Sequence, residues 1–461
     1  MAVPESKFDV VVVGARCAGA TLSTLLARRG LRVCVLDKAT FPSETLSTCA
    51  FQSNGVEVLR RIGVLDEILA AGAHVVRRAT ITSTHEKFTV DIDPAVYGQV
   101  LGMRRTTMDA ILIDYAARSG VEVRTKCPVE GVIVESGRVR GVTTRFGDIR
   151  ADVVIGADGR SSTVARSVGA REYCAHRAGR MPTWSFYEGV DPKHGFFFGA
   201  VGGMNVGSTA FLGLPLDGQF IVTVAPPAED ARDYLSDRYT QFDARLQSFP
   251  ELAAAVDGAT RVGPIRVLQK WHSYFRESAG PGWALVGDAG HFKDYSLGQG
   301  QSDAFRQAEH LADRLIDGLE SDGNLDIELS RWWRWRDRDA WQMYWANTLL
   351  GEPHLPDALA DGLFGLAARD DALAMDFAHI FNKKVTPLRA AATPARVARV
   401  APGVARSLAG LRPRELPRNT RATAEFIGFS AKLLAQHPQS PWGLRYPRSA
   451  HTAQETANAT S

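Results

Sequence analysis

The opening of the chain constrains its fold more than any other segment. Phe8 to Val13 form a short, β-branched apolar run ending at Gly14, which is typical of a buried parallel strand. Leucines at helical spacing occupy Ala18 to Arg29, and Leu31 to Leu36 is a second apolar run. Strand, glycine turn, helix and strand within roughly thirty residues predict a βαβ unit, and hence an α/β protein with a parallel sheet.

The turn of this unit matches a dinucleotide-binding fingerprint. Gly14 permits a tight turn and Gly19 permits close packing of helix on strand, so the helix N-terminus can face a pyrophosphate. Asp37 ends the second strand, where a carboxylate accepts hydrogen bonds from ribose hydroxyls. Arg16 replaces the middle glycine of the fingerprint, and an ordinary βαβ turn is the alternative interpretation. The cofactor-binding residues predicted in this unit are Gly14, Ala15, Arg16, Ala18, Gly19, Asp37 and Lys38.

Two later segments place a glycine–aspartate pair directly after a short apolar strand. The first strand, Val153 to Ile155, runs into Gly156-Ala157-Asp158-Gly159. The second, Ala284 to Val286, runs into Gly287-Asp288, and Gly298-Gln299-Gly300 follows before a helix predicted from about Gln301 to Leu319. In this order, the three segments resemble the motifs of the FAD-dependent monooxygenase family of the para-hydroxybenzoate hydroxylase type, to which the geranylgeranyl reductases are related.

That resemblance covers roughly residues 7 to 385 and implies a flavoenzyme. FAD is the implied cofactor, and NADH or NADPH is the implied transient reductant. In the family, the aspartate of the third motif binds the flavin ribose and the following helix points its N-terminus at the isoalloxazine. An arginine matching Arg105 reaches the flavin pyrophosphate or its neighbourhood. The resemblance therefore adds the cofactor-binding residues Arg105, Asp158, Gly159, Gly287, Asp288, Gly298, Gln299 and Gly300.

Three further polar residues fall beside the implied flavin ring. Ser47 is predicted to hydrogen-bond the ring or the substrate, with helix capping before Val56 to Leu65 as the alternative. His291 and Asp294 follow the third motif, and we predict that they relay a proton or orient the substrate. A solvated turn at Lys293-Asp294 is the alternative.

An inserted antiparallel sheet and a helical C-terminal part complete the predicted fold. Thr183 to Ala225 is rich in Phe, Gly, Val and Thr, with turn residues between short runs. Trp184, Phe186 and Phe198 are the predicted substrate contacts, because alternating aromatic residues on such a sheet form an apolar pocket. The predicted class is α/β, with a Rossmann-type FAD-binding domain, a mostly antiparallel β-sheet substrate domain and a helical C-terminal region. The predicted bounds are residues 1–82, 100–180 and 270–330 for the FAD-binding domain, 83–99 and 181–269 for the substrate domain, 331–438 for the helical region and 439–461 for a loose tail.

Composition restricts the partners and the compartment. A net charge of +3 over 461 residues offers no whole-chain argument for binding nucleic acid. The chain shows no secretory signal pattern and no apolar run long enough for a membrane span, and its five scattered cysteines indicate reduced thiols and no metal site. We therefore expect a cytoplasmic monomer or homodimer that acts on a small molecule. The basic segment Arg389 to Arg421 leaves peripheral membrane contact open, although its prolines favour a solvated edge.

The activity implied by the resemblance is that of a monooxygenase using NAD(P)H and O₂. It would hydroxylate or epoxidise an apolar or aromatic small molecule, as in secondary metabolism, through a flavin C4a-hydroperoxide. A reductase or dehydrogenase of the geranylgeranyl reductase type shares the three motifs and is the first alternative, and an FAD-binding scaffold without redox turnover is the second. A flavin halogenase is disfavoured, because the tryptophan signature WxWxIP is absent and its nearest match is Trp332-Trp333-Arg334-Trp335-Arg336, in a different region.

Overall fold

A computed structural model of the chain describes residues 8–202, 207–320, 324–391 and 393–438. The tail predicted at residues 439–461 lies outside this part. The described residues form an eight-stranded sheet, a seven-stranded sheet, two three-stranded sheets and helices on both sides of them. The α/β class predicted from the sequence, with a second, mostly antiparallel sheet and a helical C-terminal region, is confirmed.

The eight-stranded sheet has the predicted βαβ unit at its centre. Phe8–Val13 pairs in parallel with Val33–Leu36 on one side and with Gly147–Gly156 on the other. Trp283–Leu285 then pairs in parallel with Gly147–Gly156, so three glycine-rich turns follow three adjacent parallel strands. We call them the three glycine–aspartate motifs, and they are the turn at Gly14 with its partner Asp37, the turn at Asp158-Gly159 and the turn at Gly287-Asp288. The strand order is Ala279–Gly280, Trp283–Leu285, Gly147–Gly156, Phe8–Val13, Val33–Leu36 and Glu122–Arg124, and Arg138–Thr144 and Val129–Glu135 extend the sheet from Gly147–Gly156.

The seven-stranded sheet forms the second layer. Its order is Thr260–Val267, Thr183–Glu188, Phe220–Ala225, Thr209–Pro215, Phe196–Val201, Arg78–Thr82 and Lys87–Asp91. Only the pairing of Phe196–Val201 with Arg78–Thr82 is parallel. The strands Arg78–Thr82 and Lys87–Asp91 pair with each other. The domain boundary that the sequence predicts after residue 82 falls between them, within one sheet. The short helices Ala231–Ser236, Arg238–Leu246 and Pro250–Ala255 cover one face with Phe242 and Phe249.

Two small sheets join these layers to the remaining helices. The first sheet contains the strands Glu172–Arg177, His272–Arg276 and His291–Phe292. The second contains Ala50–Phe51, Leu101–Gly102 and His74–Val75. The α-helices of the first part are Cys17–Ala27, Ser53–Arg61, Leu65–Ala70, Arg105–Arg118, Thr163–Ser167 and Gly300–Glu320. Short 3₁₀ turns occupy Pro192–His194, Ala228–Asp230 and Gly287–Ala289.

One helix prediction is wrong in its bounds. The sequence predicts a single helix from Val56 to Leu65, whereas the structure has two, Ser53–Arg61 and Leu65–Ala70. Gly63 separates them with a φ of +77°, a left-handed conformation that ends an α-helix and that glycine adopts without steric cost.

The C-terminal region is helical throughout its described residues. Its helices are Leu325–Gly351, Asp357–Ala367, Asp371–Phe381, Pro387–Ala391, Pro394–Ala409 and Leu416–Ala435. Trp332 and Trp345 of the first helix are buried in two different apolar clusters, so this helix ties the region to the rest of the fold. Among the described residues, every helix is too short or too polar for a membrane crossing.

Candidate active site

The three glycine–aspartate motifs meet at one cavity of about 200 Å³. They follow the carboxyl ends of three neighbouring parallel strands, which is where open α/β sheets bind their ligands. Of the predicted cofactor-binding residues, the cavity is lined by Ala18, Ser47, Arg105, Gly159, Gly287, Asp288, Gly298 and Gly300. The predicted catalytic residues His291 and Asp294 and the predicted substrate contact Trp184 also line it.

The glycines of the first motif bring its backbone against the second motif. A Cβ on Gly14 would lie 2.5 Å from the carbonyl oxygen of Ala157, and Gly14 has a φ of +100°. A Cβ on Gly19 would lie 1.8 Å from the carbonyl oxygen of Gly14. Both positions therefore exclude a side chain, one because of the neighbouring motif and the other because the helix packs directly on the turn.

Asp37 supports the turn from the second strand. Its buried carboxylate accepts hydrogen bonds from the backbone N–H groups of Ala15 and Ala39, both at 2.8 Å. Each carboxylate oxygen keeps a further lone pair for a hydroxyl donor. Asp37 thus holds the turn in place, whereas the side chain of the neighbouring Lys38 is exposed and lies away from the cavity.

Two arginines converge on Asp109 beside the first helix. Arg105 donates to both oxygens of Asp109 at 2.9 Å, and Arg16 donates to one of them at 2.6 Å. Asp109 is fully buried, so this pair of cations compensates its charge. Arg16 also donates to Ser43 at 2.8 Å, which directs it away from the cavity, while Arg105 lines it. A guanidinium at a helix N-terminus is suited to phosphate oxygens.

The aspartates of the second and third motifs are available for polar ligands. Asp158 accepts hydrogen bonds from the N–H groups of Thr163 and Val164 through one oxygen, and its other, buried oxygen has no partner in the described part of the chain. Burial raises the pKa of Asp288 to about 6, against the opposing effect of Arg160 and Arg105. The two carboxylates can accept hydrogen bonds from hydroxyl groups, and the cations and a helix N-terminus can bind phosphates. Together these groups fit an extended dinucleotide cofactor.

Gln299 binds the C-terminal region with its side chain. Its amide nitrogen donates to the carbonyl oxygens of Ile380 and Phe381, both at 3.0 Å, and its amide oxygen accepts from Asn347 at 3.2 Å. The side chain is therefore engaged away from the cavity, which Gln299 does not line. Gly298, with a φ of +56°, and Gly300, at the start of a long helix, do line it.

Ser47 lies at the cavity and does not cap a helix. Its hydroxyl oxygen accepts hydrogen bonds from Gln301 at 2.8 Å and from the N–H of Cys49 at 3.0 Å. The next helix begins at Ser53 with Gln52 at its N-cap, so the capping alternative for Ser47 is wrong. Burial raises the pKa of Cys49 to about 12, which keeps its thiol protonated and unreactive.

The segment with His291 and Asp294 is buried, so the alternative of a solvated turn at Lys293-Asp294 is wrong. Burial lowers the pKa of His291 well below its usual value, and its Nε2 atom has no partner within the described residues. Burial raises the pKa of Asp294 to about 6, and its carboxylate accepts a hydrogen bond from the N–H of Ser296 at 2.9 Å. A neutral imidazole and a carboxyl group that titrates near neutrality therefore face one cavity.

Only one of the three predicted substrate contacts reaches the cavity. Trp184 lines it, with the Tyr295 ring 6.3 Å away. Phe186 lies two residues further along the same strand, roughly 7 Å away, and neither it nor Phe198 lines the cavity. Phe198 packs edge-on against Phe381 at 5.4 Å. The C-terminal helix Asp371–Phe381 thus covers Phe198, and both Phe186 and Phe198 pack, partly buried, against an apolar cluster.

Several lining residues are absent from the sequence-based prediction. They are Cys17, Leu46, Thr48, Arg160, Leu268, Phe292, Tyr295, Gln301, Asp303, Ala304 and Gln307, with Lys293 considered only as part of a turn. For three of them a signal was present in the sequence. Asp303, Ala304 and Gln307 lie three, four and seven positions after Gly300, which is the spacing of one helix face.

Comparisons with known proteins agree with this geometry. Residues 7–327 match the family model described as FAD binding domain. The tryptophan 2-halogenase of Chondromyces crocatus is 25% identical over 315 residues, which are 65% of this chain and 59% of that protein. The rifampicin monooxygenase of Streptomyces venezuelae is 29% identical over 165 residues, 35% of this chain and 34% of that one. The digeranylgeranylglycerophospholipid reductase of Methanosarcina mazei is 24% identical over 362 residues, 72% of this chain and 81% of that one.

A solved structure shows the same fold. The flavin-dependent brominase Bmp2 superposes with a TM-score of 0.72 at 18% sequence identity, covering 87% of this chain and 100% of that one. At this identity the likeness concerns the arrangement of sheets and helices, and chemistry has to be argued from the residues at the site.

Proposed function

The chain belongs to the FAD-binding-domain family, and we propose that within it the protein works as a monooxygenase. It is an FAD-dependent oxidoreductase, as its relatives indicate. In our proposal NADH or NADPH reduces the flavin, and the protein hydroxylates or epoxidises an apolar or aromatic small molecule with O₂. One observation carries the proposal: the three cofactor motifs and an aromatic wall enclose the same cavity.

The chain's own residues bind the cofactor in this proposal. FAD, when bound, supplies the redox chemistry by accepting electrons from the reductant and transferring them to oxygen. Arg105 and the helix N-terminus at Cys17 hold its diphosphate, and the helix that begins at Gly300 faces its ring. The carboxylate of Asp288, which lines the cavity, and the unpartnered oxygen of Asp158, which lies between the lining residues Ala157 and Gly159, would accept hydrogen bonds from its hydroxyl groups.

His291 and Asp294 are the residues that we assign to proton handling. Asp294 has a pKa raised by burial to about 6, so near neutral pH it can release or take up a proton at its carboxylate oxygens. His291 stays neutral because burial lowers its pKa, and it offers a nitrogen that has no partner in the described chain. Their burial also excludes water from the reacting groups.

The residues of the cavity wall favour an aromatic substrate that also carries a polar group. Trp184, Leu268, Phe292 and Tyr295 provide apolar and ring surfaces. The indole nitrogen of Trp184 and the hydroxyl of Tyr295 are buried without a hydrogen-bond partner in the described residues. Because unmet buried donors are costly, we expect the substrate to accept a hydrogen bond from at least one of them.

Two other activities have specific support. The match to a tryptophan 2-halogenase over 65% of the chain makes a halogenase the second candidate, although the WxWxIP signature is absent. The still longer match to a digeranylgeranylglycerophospholipid reductase, over 72% of the chain, supports a reductase. Both activities use the same flavin site and differ in what reacts with the reduced flavin.

One experiment separates these activities. The FAD-loaded protein is incubated with NADH or NADPH and a panel of indoles, phenols and isoprenoids, with and without bromide or chloride, while oxygen uptake and product masses are measured. Products that gain one oxygen atom with matching oxygen consumption support the proposal. A product that gains halogen, or one that gains two hydrogens without oxygen consumption, would overturn it in favour of a halogenase or a reductase, and product without NAD(P)H oxidation would indicate a non-redox scaffold.

The cellular setting that we propose is the cytoplasm. The five cysteines are scattered along the sequence without CxxC spacing and are all buried, which is typical of proteins that are kept in a reducing compartment. We propose a monomer or homodimer with a small-molecule substrate and without nucleic-acid partners, and light scattering of the purified protein measures the oligomeric state.

A further inference from the structure

Five ionic side chains form a continuous chain that is partly exposed at Arg306 and Asp339 and buried where it ends at the cavity. Lys293 donates to one oxygen of Asp303, and the ammonium of Lys383 lies 2.6 Å from the other. Lys383 also donates to Asp339 at 2.8 Å, and Arg306 binds Asp339 through two nitrogens at 2.6 and 2.9 Å. The side chains of Lys293 and Asp303 are each 4% exposed. We call this set the ionic chain.

The ionic chain has one more cation than it has anions. At neutral pH Lys293, Lys383 and Arg306 carry positive charge, although burial lowers the pKa of Lys293 to about 8. Asp303 and Asp339 carry negative charge, because the neighbouring cations keep the pKa values of both aspartates well below their usual range against the effect of burial. Taking ions out of water is costly, and apolar side chains of similar volume often stabilise a fold equally well or better. A buried excess of positive charge therefore requires an explanation other than stability.

The position of the ionic chain indicates what the excess charge faces. Lys293 and Asp303 line the cavity, and Asp303 lies in the first turn of the helix that begins at Gly300. Asp288 also lines the cavity, and Arg160 and Arg105 each lower its pKa more than Lys293 does, so its charge is compensated mainly by the two arginines. The excess charge at the Gly300 end of the cavity is therefore available to a bound ligand.

Lys383 brings the C-terminal region into this arrangement. It follows the helix Asp371–Phe381, and its φ of +60° is a left-handed conformation that is uncommon for a residue with a side chain. Its ammonium joins the two aspartates of the ionic chain but does not line the cavity. Lys383 can influence the cavity only through Asp303 and Lys293, as a positioning residue.

We propose that the ionic chain sets the redox potential of the bound flavin, with Lys293 presenting the excess positive charge to the ring and Lys383 maintaining that excess from the C-terminal region. The proposal rests on the proposed flavin function. Two-electron reduction leaves negative charge on the ring, and a nearby buried cation stabilises the reduced form relative to the oxidised form. Removal of either lysine leaves two cations and two anions, so the excess disappears.

The test is the midpoint potential of bound FAD in Lys293→Met and Lys383→Met, measured spectroscopically during stepwise reduction against a reference dye. We expect the reduced form to be stabilised at least tenfold less in both variants, which is a shift of about 30 mV to more negative potential for a two-electron couple. Lys384→Met is the matched control, because Lys384 is exposed and its ammonium donates to the carbonyl oxygens of Val96 and Tyr97, away from the ionic chain. The potential of this variant should equal that of the wild type.

Two outcomes overturn the proposal. One is a potential in both variants that equals that of Lys384→Met while FAD remains bound, and the other is an equal shift in all three variants. If Lys293→Met does not fold, Lys383→Met is compared with the charge-conserving Lys293→Arg. The proposal then requires that Lys383→Met shifts the potential and that Lys293→Arg does not. The measurement requires no turnover, so a protein that binds FAD and shows the shift but oxygenates nothing would reject the proposed function and keep this inference.

Discussion

Gly14 and Ala157 are in backbone contact, so close that a Cβ on Gly14 would lie 2.5 Å from the carbonyl oxygen of Ala157. In addition, the N–H of Ala157 donates to the carbonyl oxygen of Val13 at 2.7 Å. The first and second cofactor motifs thus support each other directly. The sequence predicts that a side chain at Gly14 would meet the cofactor phosphates, whereas in the structure it meets the second motif first.

Gly14→Ala should therefore disrupt the junction of the two motifs and abolish most flavin binding. Gly120→Ala is the matched control, because Gly120 has a similar φ of +95° but nothing within 4 Å of its added Cβ. The control should cost only the strain of a left-handed residue, about 1–2 kcal/mol. Flavin absorbance per protein and the free energy of unfolding measure both effects. Equal losses in the two variants would show that strain, and not contact with Ala157, is what matters.

Asp288→Ala should lose most bound FAD, at least tenfold in affinity, because the substitution removes the carboxylate that we assign to the ribose at the cavity wall. Asp257→Ala, at an exposed carboxylate, serves as the control. Titration of the apoprotein with FAD, followed by flavin fluorescence, gives the affinity. Full retention of the yellow colour in Asp288→Ala would refute its role.

Asp109→Asn should destabilise the protein by about 3–5 kcal/mol, because it leaves the largely buried guanidinium of Arg105 and the partly exposed one of Arg16 beside a neutral partner. FAD affinity should fall as well, since Asp109 holds Arg105 at the cavity. Urea unfolding of the apoprotein measures the first effect. Asp114→Asn, at an exposed position of the same helix, should leave both quantities unchanged.

The stability difference between Asp294→Asn and the wild-type apoprotein should depend on pH. Burial raises the pKa of Asp294 from 3.8 to about 6, so between these values the folded protein binds more protons than the unfolded chain. Titration of Asp294 therefore destabilises the wild type as pH rises through this window, and the variant lacks this loss. From about pH 4 to pH 7, the free energy of unfolding of the variant, measured with urea, should increase relative to that of the wild type by on the order of 2 kcal/mol. Above this window the difference should not change further. A difference that is independent of pH would contradict the proposed ionisation.

Sequence patterns predicted the parts of the fold that depend on local periodicity. The strand Phe8–Val13 and the helix Gly300–Glu320 lie within one residue of their predicted bounds, because burial of both faces of the strand requires a continuous apolar run and burial of one helix face imposes helical spacing. Packing between distant segments follows no such local pattern. For that reason the sequence did not show that Phe198 would be covered by Phe381 or that Gln299 would bind the carbonyl oxygens of the C-terminal helices.

The sequence by itself determined that three glycine–aspartate motifs end parallel strands, and parallel strands in one sheet direct their carboxyl ends to the same edge. Only the tertiary structure decided which charges share the space at that edge. Lys293, Asp303 and Lys383 come from three separate segments, and whether a charged side chain is solvated or buried depends on what the rest of the chain packs over it. Backbone direction is thus encoded locally, whereas the electrostatics of the cavity arise only when Lys383 of the C-terminal region packs against Asp303 of the cavity wall.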